Sequence, residues 1–136
     1  MTAACPLRTI VFFVLLFCLN CFGAGSQPGA LTLTLALPRT PAPGEAIRVR
    51  VNAGVLPHGA RIIVRTVTGK IAGTVAPYGV ASGQEAGTYT IPIPAEAVSN
   101  GKLSLTFELK DRHGHVRAAT QNEVLGAEVV LIPVKK

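Results

Sequence analysis

The stretch "KLSLTFELK", which runs from residue 102 to residue 110, is the clearest indication of the fold in this 136-residue chain. Its apolar side chains alternate with polar ones at a period of two, which is the pattern of a β-strand that buries one face. The side chains expected to point inward are those of Leu103, Leu105, Phe107 and Leu109. The stretch therefore predicts a strand that lines a hydrophobic core.

Seven further stretches have β-strand character and are separated by turns rich in glycine and proline. They are "LTLTLAL" (31–37), "AIRVRVN" (46–52), "ARIIVRTV" (60–67), "KIAGTV" (70–75), "TYTIPIP" (88–94), "HVRAAT" (115–120) and "AEVVLIPV" (127–134). Short strands with a turn signal every roughly 8–12 residues are typical of β-sandwiches and barrels. We therefore predict an all-β fold of about seven or eight antiparallel strands.

The stretches "EAGTYTIPIP" (85–94) and "PGEAIRVRV" (43–51) resemble strands of the immunoglobulin-like and fibronectin III-like domains of bacterial extracellular proteins. The first is similar to the glycine–x–tyrosine strand entry of those domains, and the second is similar to their second strand. The resemblance implies an immunoglobulin-like β-sandwich over residues 26–136 and an adhesive, scaffolding or assembly role. The chain has no tryptophan, so it lacks the Cys…Trp…Cys core of antibody domains.

Residues 1–25 are predicted to be a cleavable signal peptide. Arg8 is the only charged side chain in this segment, residues 10–19 form an apolar run, and small residues follow. The run is shorter than the roughly 20 residues that span a bilayer, although an uncleaved membrane anchor is the alternative. We expect a periplasmic or secreted protein that contacts the membrane only through this segment, before cleavage.

Removal of the signal peptide changes the composition of the chain. All three cysteines lie within it, so the mature domain must be held together by its core and not by disulfides. Twelve basic and seven acidic residues remain, a net charge of +5 that permits attraction to acidic surfaces. Few aromatic side chains remain for stacking on bases, which makes nucleic acid a poor partner.

The residues that catalysis and cofactor binding require are scarce. The mature chain has no thiol, no serine in a nucleophile-elbow context and a single aspartate, and its glutamates are scattered singly. It also lacks a phosphate-binding glycine loop that leads into a helix. We predict a protein that is not an enzyme and has no cofactor.

The stretch "DRHGHVR" (111–117) carries the only hint of metal chemistry. Two histidines at positions i and i+2 of a strand share a face, so His113 and His115 could chelate one metal ion. Asp111 or Glu123 could add a ligand, and His58 could reach the site from another loop. Gly114 instead favours a hairpin turn that separates the two rings. A periplasmic metal-binding protein is therefore the alternative hypothesis, and a polar hairpin tip is the simpler interpretation.

Four arginines raise the possibility of an anion-binding face. Arg48 and Arg50 point outward from one predicted strand, and Arg61 and Arg65 point outward from the next. If the two strands pair, the four guanidinium groups share one face and could hold an anionic polymer. If the strands lie in opposite sheets, the group is dispersed.

The longest predicted loop, residues 76–87, is rich in glycine, and loops of this length in small domains are often functional. We expect residues 77–85 to bind a protein or an envelope component, with Tyr78 and Glu85 as the binding residues and Tyr78 as the anchor. An immunoglobulin-like inhibitor of a secreted enzyme is a further alternative. The terminal "AEVVLIPV" could also be a free sheet edge that pairs with another chain.

Overall fold

The computed structural model of the protein describes residues 30–135. The predicted signal peptide (1–25) lies outside these residues. The described part is all-β, with a single 3-10 turn at Ala95–Ala97. Its nine strands are β1 (Leu31–Ala36), β2 (Glu45–Val55), β3 (Arg61–Thr66), β4 (Ile71–Val75), β5 (Glu85–Ile93), β6 (Val98–Ser99), β7 (Lys102–Lys110), β8 (Val116–Ala118) and β9 (Val124–Pro133).

The strands form two antiparallel sheets. The larger sheet has the order β1-β7-β3-β4, and the short strands β6 and β8 also pair with β7. The smaller sheet has the order β5-β2-β9. The predicted strand 102–110 is therefore the central strand of the larger sheet.

The core lies between the two sheets and is made by the alternating side chains that the sequence pattern indicates. Leu103, Leu105 and Phe107 are completely buried, and Leu109 is nearly so. The apolar residues of β2 and β3 meet them in one continuous hydrophobic cluster. The alternating leucines of β1 are only half-buried, because β1 is an edge strand and is covered on one side only.

Seven of the nine strands have five residues or more, which agrees with the prediction of about seven or eight antiparallel strands. Three boundaries differ from the predicted ones by three residues. Strand β9 begins at Val124, before the predicted start at residue 127. Strand β2 continues to Val55, past the predicted break that begins at residue 53. Strand β5 begins at Glu85, so the predicted loop is shorter and Glu85 belongs to a strand. The glycine signal misplaced this boundary because Gly87, with a φ of 95°, lies within the strand.

The sheet order decides the two questions that the strand pattern left open. Strands β2 and β3 lie in different sheets, so Arg48 and Arg50 do not share a face with Arg61 and Arg65. Strand β9 is an edge strand of the smaller sheet, which leaves one of its sides without a strand partner within residues 30–135. In the same part of the chain, no helix is long and apolar enough to cross a membrane.

Candidate binding site

One end of the sandwich gathers most of the residues that the sequence singled out. The connections β2–β3 (56–60), β4–β5 (76–84) and β7–β8 (111–115) all lie at this end, which we call the loop end. The β2–β3 and β7–β8 connections touch, because a Cβ atom on Gly59 would lie only 3.0 Å from the Cβ of Arg112. An open cleft of about 310 Å³ lies between the β2–β3 and β4–β5 connections.

Tyr78 stands on the rim of this cleft with 91% of its surface exposed. Pro77 precedes it, and Gly79 follows it with a φ of 76°, a conformation that most residues adopt only with strain. The backbone bends directly after the tyrosine, and the ring is exposed to solvent. Glu85, the other predicted binding residue, is exposed on β5 and does not line the cleft.

His58 lies on the opposite wall of the cleft from Tyr78. Its loop is closed by a hydrogen bond of 3.0 Å from the amide of Ala60 to the carbonyl of Pro57, and Gly59 has a φ of 74°. This tight turn positions His58 on the exposed surface. The cleft thus combines one exposed aromatic ring with one imidazole, and most of its remaining lining is small or polar.

The reversal at residues 111–115 is organised by the Asp111 carboxylate. One carboxylate oxygen accepts the amide N–H groups of His113 (2.8 Å) and His115 (2.9 Å), and the other lies 3.1 Å from Nδ1 of His115. Desolvation raises the pKa of Asp111, but these hydrogen bonds outweigh it and the pKa is lowered. Asp111 therefore serves as the internal acceptor of its own turn.

The two histidine rings remain neighbours across Gly114, contrary to the separation that a turn led us to expect. Their centroids lie 6.3 Å apart and their planes are inclined at 41°. The Nε2 atom of His113 is 3.0 Å from Nε of Arg112, and Asp111 is occupied by the turn. No group of three or more potential metal-binding side chains occurs in the described chain. The metal hypothesis therefore rests on the two rings alone.

The turn after β8 is held by Glu123, which the sequence suggested only as a possible further metal ligand. Its carboxylate accepts hydrogen bonds from both terminal nitrogens of Arg117 and from the amide of Thr120. Only 6% of Glu123 is exposed. Burial raises its pKa, but the hydrogen bonds and the charge of Arg117 have the larger combined effect and lower it. A Thr-x-x-Glu pattern of this kind was visible in the sequence as a capping signal.

Glu123→Gln is expected to lower the free energy of unfolding by about 2 kcal/mol, because it weakens the Arg117 pair and removes an acceptor in a buried turn. The pKa of Glu123 is lower in the folded protein, so its contribution is present at neutral pH and is lost as the pH falls through the folded pKa. Urea denaturation at pH 7 measures the change. Glu128→Gln is the matched control: its pair with Arg50 is exposed, and we expect a loss below about 1 kcal/mol. Equal losses for both variants would contradict the role of Glu123.

In comparisons with known proteins, no family model matches the chain, and no curated protein or solved structure is significantly similar to it. Its function therefore has to be inferred from its own residues.

Proposed function

We propose that the protein is an exported, non-enzymatic β-sandwich module that binds another protein or a component of the cell envelope through its loop end. The observation that carries this proposal is the exposure of Tyr78. Exposed tyrosines are enriched at the anchor positions of binding surfaces, because they offer a large contact area and a polar tip. The cleft beside Tyr78 provides the concave surface that such contacts use.

A binding role is also favoured over catalysis by two carboxylates in the turns around β8. Asp111 and Glu123 are both occupied by hydrogen bonds within their own turns. Their pKa values are lowered and not raised, so neither is poised as a general acid near neutral pH. Export is supported by the signal-like segment at residues 1–25.

We further propose that the domain is a variant of the immunoglobulin-like sandwich. The pairings β2–β5 and β3–β7 correspond to the B–E and C–F pairings of that fold. The first and last strands have exchanged places between the two sheets relative to that fold: β1 pairs with β7, and β9 pairs with β2. In the immunoglobulin arrangement the first strand pairs with the second and the last with the sixth.

Tyr78→Ala is expected to weaken capture of the partner by roughly 30-fold or more, the usual loss at an interface anchor. The test uses protein expressed from the full sequence, immobilised and incubated with cell-envelope extract, with the bound material quantified. Tyr78→Phe retains the ring and should preserve most of the capture. Val67→Ala removes another exposed apolar side chain, at the opposite end of the sandwich, and should change nothing. Undiminished capture by Tyr78→Ala would refute the proposal.

A further inference from the structure

Two cations face each other at the loop end without a compensating acid. Arg61 of β3 is the direct cross-strand partner of Lys110 of β7. Their neighbours Ile62 and Leu109 are buried, so both charged side chains point to the outer face of the sheet. Like charges in directly opposed positions of an antiparallel pair repel each other and destabilise it. The pair therefore has no evident role in stabilising the fold.

The same sheet face shows how such a charge is compensated elsewhere. Further along β3, Nε of Arg65 lies 2.9 Å from a carboxylate oxygen of Glu108. Four of the seven arginines in residues 30–135 are paired with a glutamate in this way; they are Arg39, Arg50, Arg65 and Arg117. The other three are Arg48, Arg61 and Arg112, and the last two both lie at the loop end.

Arg112 lies beside the opposed pair because its Cβ atom packs against Gly59, in the loop that leads into Arg61. We call Arg61, Lys110 and Arg112 the basic rim. Asp111 lies next to it in the chain, but its oxygens accept hydrogen bonds from its own turn. Glu85 belongs to the other sheet and forms no ion pair within the described residues. Asp111 keeps its single negative charge while it accepts these hydrogen bonds, so the three cations of the basic rim retain an excess of positive charge for an external anion.

The arrangement of these charges favours a ligand with several anionic groups. Arg61 and Arg112 are exposed and Lys110 is half-buried, and a single exposed ion pair contributes little to affinity. Arg61 and Lys110 oppose each other on the sheet, and Arg112 lies in the adjoining turn, so the three charges come from separate elements. A polyanion gains from several weak contacts at once and from the release of its counterions.

We propose that the basic rim binds an acidic polysaccharide, with a sugar ring resting on Tyr78. Arg61 connects the two parts, because it also lines the cleft that Tyr78 borders. Nucleic acid fits less well, because its binding relies on a series of aromatic platforms. Of the Phe and Tyr side chains in residues 30–135, Phe107 is buried and Tyr89 packs against the core, which leaves only Tyr78. This inference rests on the proposed binding function and names the chemistry of its partner.

The test compares two double variants of equal charge in binding to polygalacturonate and heparin, a carboxylated and a sulfated polysaccharide. Arg61→Gln with Lys110→Gln removes the opposed pair at the loop end. Lys70→Gln with Lys102→Gln removes two exposed lysines at the other end of the same sheet. The first variant is expected to bind roughly tenfold more weakly at moderate salt and to show a shallower salt dependence. The second should bind within about twofold of the parent.

Equal losses in both variants would overturn the inference, because they would indicate attraction to net charge alone. Tighter binding of a single-stranded oligonucleotide than of the polysaccharides would overturn the choice of polymer, and so would equal binding of neutral dextran. The melting temperature of the Arg61→Gln/Lys110→Gln variant should not fall, because a repulsive pair is removed. A clear fall in the melting temperature would show that Arg61 and Lys110 stabilise the fold, contrary to the inference. If neither polysaccharide binds while Tyr78→Ala still abolishes partner capture, this inference fails and the proposed function stands.

Discussion

Replacement of Phe107 by alanine is expected to lower the free energy of unfolding by about 4 kcal/mol. Phe107 is completely buried, and it is the largest of the fully buried side chains. It lies in the central strand β7, opposite Leu31 of β1 on one side and Val64 of β3 on the other. Truncation would therefore leave a cavity where the larger sheet contributes most to the core. Unfolding in urea, followed by circular dichroism, measures the loss.

Thr106→Ala is the matched control for this prediction. Thr106 is the preceding residue of the same strand and points to the outer face, where its hydroxyl lies 3.5 Å from that of Thr32. Its loss should cost less than about 1 kcal/mol, because no buried volume is removed. A loss below about 1 kcal/mol for Phe107→Ala would show that the core does not depend on this ring.

The positions of the strands could be predicted from the sequence because alternation is a local property. The inward residues of β7, for example, are fixed by a period of two that nine consecutive residues display. The pairing of strands is not local. Leu31 meets Phe107 across most of the chain, and no signal near either residue specifies the other. The sheet order therefore had to come from the structure.

In the candidate site, too, local features could be predicted from the sequence, whereas contacts between distant residues could not. Tyr78 was predicted as a binding residue from its glycine-rich loop, whose irregularity is visible in the sequence, and the structure shows that its side chain is exposed. The proposed basic rim could not be predicted from the sequence, because Arg61 and Lys110 become neighbours only through the register of β3 with β7. The hypothesis that four arginines share one face required β2 to pair with β3. These strands lie in different sheets, so the sequence placed together residues that the fold separates.

The second large effect is expected from Gly54→Ala, which should lower the free energy of unfolding by about 3 kcal/mol. A Cβ atom on Gly54 would lie 2.0 Å from the backbone carbonyl oxygen of Asn122, far inside van der Waals contact. The amide of Gly54 also donates a 2.9 Å hydrogen bond to the carbonyl of Glu123. The turn that carries Glu123 therefore rests directly on β2, and the added methyl group must push this turn away.

Gly126→Ala provides the control within the same sheet, since Gly126 of β9 is the cross-strand partner of Asn52, two residues from Gly54. A Cβ atom there meets nothing within 4 Å. Alanine at this position should be neutral or slightly stabilising, because it restricts the unfolded chain. Displacement of the turn also separates Glu123 from β2, so Gly54→Ala and Glu123→Gln should destabilise less together than the sum of their separate effects. Fully additive losses in this double-mutant cycle would show that Gly54 and the Glu123 turn are independent.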